Sequence, residues 1–162
     1  MNSNNELLPF NAIAKLSFRK RPKLISPDLR YFRRLSLIIL ILKYTSFKGQ
    51  GSMLKLQFFN WAMASARNMK LSLEYINEPR TIKSNIISYD PSLQRAIEFA
   101  LGDEFIGFIK TGTFKLSAKG EQFLQYLIND ETVLVPEKEY LKIVSTKSIS
   151  ETQVESIVKG IY

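Results

Sequence analysis

Eight cationic side chains stand within twenty residues of this sequence: Lys15, Arg19, Lys20, Arg21, Lys23, Arg30, Arg33 and Arg34. One acid, Asp28, shares the window, and Phe18, Tyr31 and Phe32 are interleaved with the cations. Ammonium and guanidinium groups at this density suit the phosphates of a nucleic acid or an acidic protein surface. A plain solvated basic face has the same composition, so three readings stand open at this point. Carboxylates offer less. Asp103-Glu104 and Asp130-Glu131 are adjacent pairs, and neighbours on a helix point about 100° apart, so neither pair converges on one scissile bond. The other acids are scattered, whereas a Mg²⁺-dependent nuclease needs convergent carboxylates.

The residues that are missing exclude more chemistry than the residues present suggest. The chain has no His and no Cys, the usual general bases, metal ligands and thiol nucleophiles near neutral pH. A Ser-His-Asp triad, a Cys-His dyad and a Cys/His zinc site are therefore impossible within this chain. No disulfide framework is available either. No catalytic residue and no cofactor or metal site is expected. The start MNSNNELLPFNAIAK lacks the basic end and unbroken apolar stretch of a signal peptide. The longest apolar run, Leu37 to Leu42, is closed by Lys43 and falls far short of the roughly 20 residues that cross a bilayer. A cytoplasmic location without membrane contact is the expectation.

The net charge of +8 is unevenly distributed. Residues 1–80 carry 14 Lys and Arg against 4 Asp and Glu, while residues 81–162 carry 9 against 11. The basic character belongs to the first half. A length of 162 residues with 45% apolar and 23% charged residues is that of one ordinary globular domain able to bury its own core.

The elements that must position these residues follow from periodicity and capping. Pro9, Pro22 and Pro27 interrupt residues 1–27, which read as a basic N-terminal arm. Ser26-Pro27-Asp28 opens a first helix, to about Tyr44, whose apolar positions Leu35 and Leu37 to Leu42 cover nearly its whole circumference. This predicts a central helix. Lys48-Gly49-Gln50-Gly51-Ser52 reads as a turn between helices, because it does not fit the GxxxxGK[ST] phosphate loop. Ser52 caps a second helix to about Ser65, with Trp61 expected in the core, and a third runs from Arg67 to Asn77. Residues 81–88 favour a short strand or extended link. Asp90-Pro91-Ser92 then opens a helix with its apolar face at Leu93, Ala96, Ile97, Ala100 and Leu101. Phe105–Lys110 and Thr113–Ser117 flank Thr111-Gly112 as strands of a hairpin with a two-residue turn. Ser117 caps the next helix, Pro136-Glu137 starts another, and Ser150-Glu151-Thr152-Gln153 has the form of a capping box before a last one.

A helix that leads into a hairpin and then a further helix is the order of a winged helix-turn-helix domain. Phe114-Lys115-Leu116-Ser117-Ala118-Lys119-Gly120-Glu121-Gln122-Phe123-Leu124 resembles the strand and L-[ST]-x-x-G-x-x-[FL]-L segment that closes many winged-helix regulators. The expected fold class is mainly α with a small β-hairpin (α+β). Residues 28–130 form the winged-helix-like domain and residues 131–162 a C-terminal helical extension. The resemblance implies that Ser92–Leu101 is the DNA reader and that Lys110, Lys115 and Lys119 lie on the wing. Yet Asp90, Glu98, Asp103 and Glu104 outnumber Arg95 around that helix, whereas a major-groove helix needs donors and positive charge. Protein docking is favoured over sequence reading.

A second resemblance covers residues 28–130. Arg33 to Leu42, then Gly51-Ser52-Met53-Leu54-Lys55-Leu56-Gln57-Phe58-Phe59-Asn60-Trp61-Ala62-Met63 and Arg67-Asn68, look like the middle components of bacterial ABC-three-component systems. These include the small subunit of Lamassu-type antiphage defence. The resemblance implies a non-catalytic accessory subunit that bridges an SMC-like ATPase and an effector, often a nuclease, with DNA reached through the complex. The alternative is a winged-helix DNA-binding transcriptional regulator.

Overall fold

The computed structural model describes residues 27–78, 90–109 and 112–159. Within them lie seven α-helices and a three-stranded antiparallel sheet. The five cations from Lys15 to Lys23, Lys110 and the 81–88 segment lie outside the described residues, as does Ile161.

Helix α1 (Pro27–Thr45) is the axis of the molecule. Leu35 and the run Leu37 to Leu42 are all buried, which a helix achieves only when neighbours cover every side. The helices at Met53–Ala62, Pro91–Gly102, Ala118–Asn129 and Val135–Ser145 and the strand Thr113–Leu116 supply that cover. Inside α1, Ser36 and Thr45 return their hydroxyls to the carbonyls of Phe32 and Ile41, each at 2.8 Å, so neither brings an unpaired donor into the core.

A left-handed pair, Lys48 (φ 53°) and Gly49 (φ 68°), turns the chain out of α1. The segment read as a turn between helices is in fact a strand, β1 (Gln50–Ser52), pairing with Thr113–Lys115. Three residues with a central glycine carry almost no strand propensity; the partner strand decides their conformation. A Cβ at Gly51 would meet Ser46 Oγ at 2.8 Å and Leu42 at 3.1 Å, so those side chains would have to shift to admit one.

Ser52 Oγ accepts from the Lys55 amide at 3.1 Å and starts α2 (Met53–Ala62). That helix ends earlier than expected, since Ser65 caps α3 (Ala66–Asn77) by accepting from the Asn68 amide at 3.1 Å. Trp61 is only partly buried on the rim of the core, against Phe58 and Tyr75, not inside it. Asp90 caps α4 (Pro91–Gly102), and α4 passes through a tight turn into β2 (Ile106–Ile109).

The hairpin continues as β3 (Thr113–Leu116), the middle strand in the order β1-β3-β2. Ile109 pairs with Thr113, which closes the hairpin, and Thr111 of the expected two-residue turn lies outside the described residues. Gly112, at φ 74°, supplies the left-handed position a hairpin connection uses. Ser117 then caps α5 (Ala118–Asn129), its Oγ accepting from the Gly120 amide at 3.0 Å. A Cβ on Gly120 would lie 2.1 Å from the Phe105 carbonyl oxygen, which gives the glycine of the L-[ST]-x-x-G segment its physical meaning. The helix sits directly on the strand's approach.

Helices α6 (Val135–Ser145) and α7 (Glu151–Lys159) complete the same core. Helix α6 packs on α1, its Tyr140, Leu141 and Val144 are buried, and Val154 and Ile157 join the same cluster from α7. Ser150 caps α7 through the Gln153 amide at 3.1 Å. The Gln153 side chain, instead of closing the expected capping box, donates to the Ile76 carbonyl at the end of α3 (3.1 Å). No helix among the described residues is long and apolar enough to cross a membrane.

Candidate polyanion site between the first and fourth helices

Arg30 and Arg34 stand four residues apart on α1, and therefore on one face. Ser92, Arg95 and Phe99 repeat at three and four along α4, off the apolar stripe of Leu93, Ala96, Ile97 and Ala100 that packs into the core. The packing of α1 on α4 brings the two polar faces together around a cleft of about 390 Å³, with Tyr31 beside them. Arg30 and Arg95 are exposed.

The acids near this cleft have partners already. Asp90 Oδ2 accepts from Arg34 at 2.9 Å and from Asn60 Nδ2 at 3.1 Å, while its Oδ1 accepts from the Ser92 and Leu93 amides. Burial works to raise the Asp90 pKa. The hydrogen bonds of Arg34, Ser92 and Asn60 and the guanidinium charge outweigh it and hold the carboxyl below the usual range. One carboxylate thus caps α4 and ties it to both α1 and α2. It also occupies the first amides of α4, so the cleft's anion chemistry belongs to its side chains. Asp103, at the far end of α4, accepts from Tyr31 Oη at 3.0 Å. Burial first, then the bond to Asp103 and its charge, push the Tyr31 hydroxyl up to about 12. Glu98 is bridged to Gln94 at 3.2 Å.

The sequence-predicted cations therefore divide. Arg34 is engaged by Asp90, and Arg33 turns to α6, where its Nη2 meets Glu137 Oε1 at 2.7 Å. Arg30 stays open, and Arg95, outnumbered by acids in the sequence, joins it. On the hairpin, Lys115 is exposed on β3. Lys119 is an internal brace: its Nζ donates to the Asp103 carbonyl at 2.6 Å and sits 4.5 Å from the centre of the Phe105 ring. Ser92 and Phe99 fall within the expected reader helix Ser92–Leu101, where neither was singled out as a site residue. The available signal was a phenylalanine off the apolar stripe of an amphipathic helix.

No family model matches this chain, and neither does any curated protein or solved structure.

A second, larger cleft of about 600 Å³ lies where the end of α1, β1 and α2 meet the α6–α7 connection. Its cation is Lys55, whose side chain is only 4% exposed. Nζ donates to the Ile149 carbonyl at 2.9 Å and lies 3.4 Å from Glu151 Oε1, and Glu151 also accepts from Ser52 Oγ at 2.5 Å. Burial lowers the Lys55 pKa, and the Glu151 carboxylate opposes that shift. This lysine joins α2 to α7. The paired acids do not converge either: Asp103 faces Tyr31, and Asp130 accepts from the amide and hydroxyl of Thr132. Among the described residues no group of three acids gathers as a metal site would require.

Proposed function

We propose that this chain is a non-catalytic, cytoplasmic subunit that bridges an SMC-like ATPase and an effector subunit in a bacterial antiphage defence complex of Lamassu type. The resemblance of residues 28–130 to the middle components of ABC-three-component systems motivates the reading. The observation that carries it is the distribution of exposed apolar side chains. Phe108 on the hairpin, Tyr126 on α5 and Ile143 on α6 are 64%, 75% and 51% exposed, on three separate elements. Exposed aromatic and aliphatic groups on separate elements offer anchors to more than one partner. The motif residues Asn60 and Gly120 act in this chain as structural parts, in the Asp90 network and at the Phe105 carbonyl.

The test is co-expression with the genomic neighbours. A complex that holds this chain together with an ATPase and a second subunit is the expected result, and Tyr126→Glu or Phe108→Glu should release one partner each. Migration as a lone monomer beside those neighbours overturns the reading.

A second reading, a winged-helix transcriptional regulator, has its own support in the sheet order β1-β3-β2 and in the way α4 leads into the β2–β3 hairpin. Against it stand Glu98, Asp103 and Glu104 on and after the helix that would enter the groove. A salt-sensitive, sequence-selective shift of the chain's own promoter is its distinguishing outcome.

A further inference from the structure

The α1–α4 cleft holds more than cations. Tyr31 stands between two other rings, 5.6 Å from Phe32 and 5.5 Å from Phe99, centre to centre. Phe32 is 52% exposed and Phe99 60% exposed. Tyr31 is fixed by its hydroxyl on Asp103 and backs Phe99, which lines the cleft and is open to solvent, while Phe32 lies outside the cleft lining. Arg30 and Arg95 lie alongside, exposed, and Arg34 stands behind them on Asp90.

We propose that this cleft binds single-stranded nucleic acid, with an unpaired base stacked on Phe99 and the phosphates held by Arg30 and Arg95. Each part answers a different demand of that ligand. Guanidinium groups pair with phosphate oxygens through charge-assisted, often bidentate, hydrogen bonds. Exposed rings give a sequence-tolerant platform, because every base has a π-face, and a duplex keeps its bases stacked on one another. A duplex or a bare polyphosphate uses the arginines and leaves the ring wet. The proposal rests on the polyanion reading of this end of α1 and is independent of partner subunits.

The experiment is fluorescence anisotropy of the full chain with labelled oligothymidylate of about 16 nucleotides, the upper end of ordinary site sizes. Oligouridylate, a duplex of equal length and heparin are the comparison probes. Single strands, whether DNA or RNA, should bind more tightly than duplex. Phe99→Leu should weaken single-strand binding about fivefold or more, the effect of one lost base stack, and leave heparin binding unchanged. Phe99→Trp should restore it. Neutralising Arg30 and Arg95 with Gln should weaken single-strand and heparin binding alike, and reduce the slope of log affinity against log salt by about 1.4, or 0.7 per contact. All three residues are exposed, so melting temperatures should match the parent. If the Gln pair weakens heparin and oligothymidylate but Phe99→Leu changes neither, or if duplex binds as tightly as single strand, the stacking proposal fails and the polyanion site stands. If the Gln pair changes no probe, both fail.

Discussion

The two clefts of this protein use positive charge in opposite ways. Between α2 and α7, Lys55 is withdrawn from water, and its ammonium group faces the Ile149 carbonyl and the Glu151 carboxylate. Between α1 and α4, Arg30 and Arg95 remain in solvent, while Arg34 has been drawn aside by Asp90. The larger cleft holds the satisfied cation and the smaller one the open pair. Cleft size does not track open charge here. A buried charge has to be matched by the fold because its desolvation is costly, whereas an exposed guanidinium leaves folding almost unaffected and remains available to a ligand.

That contrast predicts a graded series of substitutions. The largest effect belongs to Lys55→Ala, which orphans the Ile149 carbonyl and removes the aliphatic stem between α2 and α7. An unpaired buried acceptor alone costs about 1–3 kcal/mol, and the lost packing adds to it. Chemical denaturation should show the loss, and hydrogen exchange should place it in α7. An unchanged α7 would mean that Lys55 is as dispensable as the open arginines.

Asp90→Ala comes next, at about 1–2 kcal/mol, for a lost helix cap and a lost ion pair, with Arg34 left only its longer bond to Asn60 Oδ1 at 3.5 Å. Its pH dependence sharpens the point. The Asp90 pKa is depressed in the folded protein, so its contribution is fully present above the unfolded carboxylate range near pH 4 and is lost as the pH falls through the folded value. Parent and variant should differ most at pH 7 and converge toward pH 2. A constant difference would assign the effect to the cap geometry instead of the charge.

Arg33→Ala should cost less, about 0.5–1 kcal/mol, because its pair with Glu137 is half-exposed on the arginine side. The loss should shrink in high salt. Smallest of all, Arg30→Gln and Arg95→Gln should alter stability by no more than about 0.5 kcal/mol. A melting temperature well below the parent for either would move that arginine into the group used by the fold.

Much of the fold was legible because helix caps and amphipathic stripes are local. Ser52, Asp90 and Ser117 each start the expected helix, since a side-chain oxygen two or three residues before an amide meets it whatever lies beyond. The run from Leu37 to Leu42 announced a helix covered on all sides, and α1 is that helix. The strand β1 was not legible. Gln50-Gly51-Ser52 reads as a loop, and only hydrogen bonding to a segment more than sixty residues further on makes it a strand. Trp61 was misplaced because residue type predicts apolar contact without saying on how many sides. Gln153 fits a capping box by spacing, yet an open carbonyl at Ile76 competes for the same side chain.

The candidate site divides along the same line. The sequence by itself determined that this chain has no imidazole or thiol chemistry, that its positive charge lies in its first half, and that Arg30 and Arg34 share a helical face. These properties depend on composition and on a period of 3.6 residues. Tertiary structure alone decided which arginines are open. Arg34 meets an aspartate 56 residues away and Arg33 a glutamate 104 residues away, while Arg95 and Phe99 arrive beside Arg30 from another helix. Ion pairing and ring stacking act over a few ångströms in space, and the sequence orders residues along a chain that only packing folds back on itself.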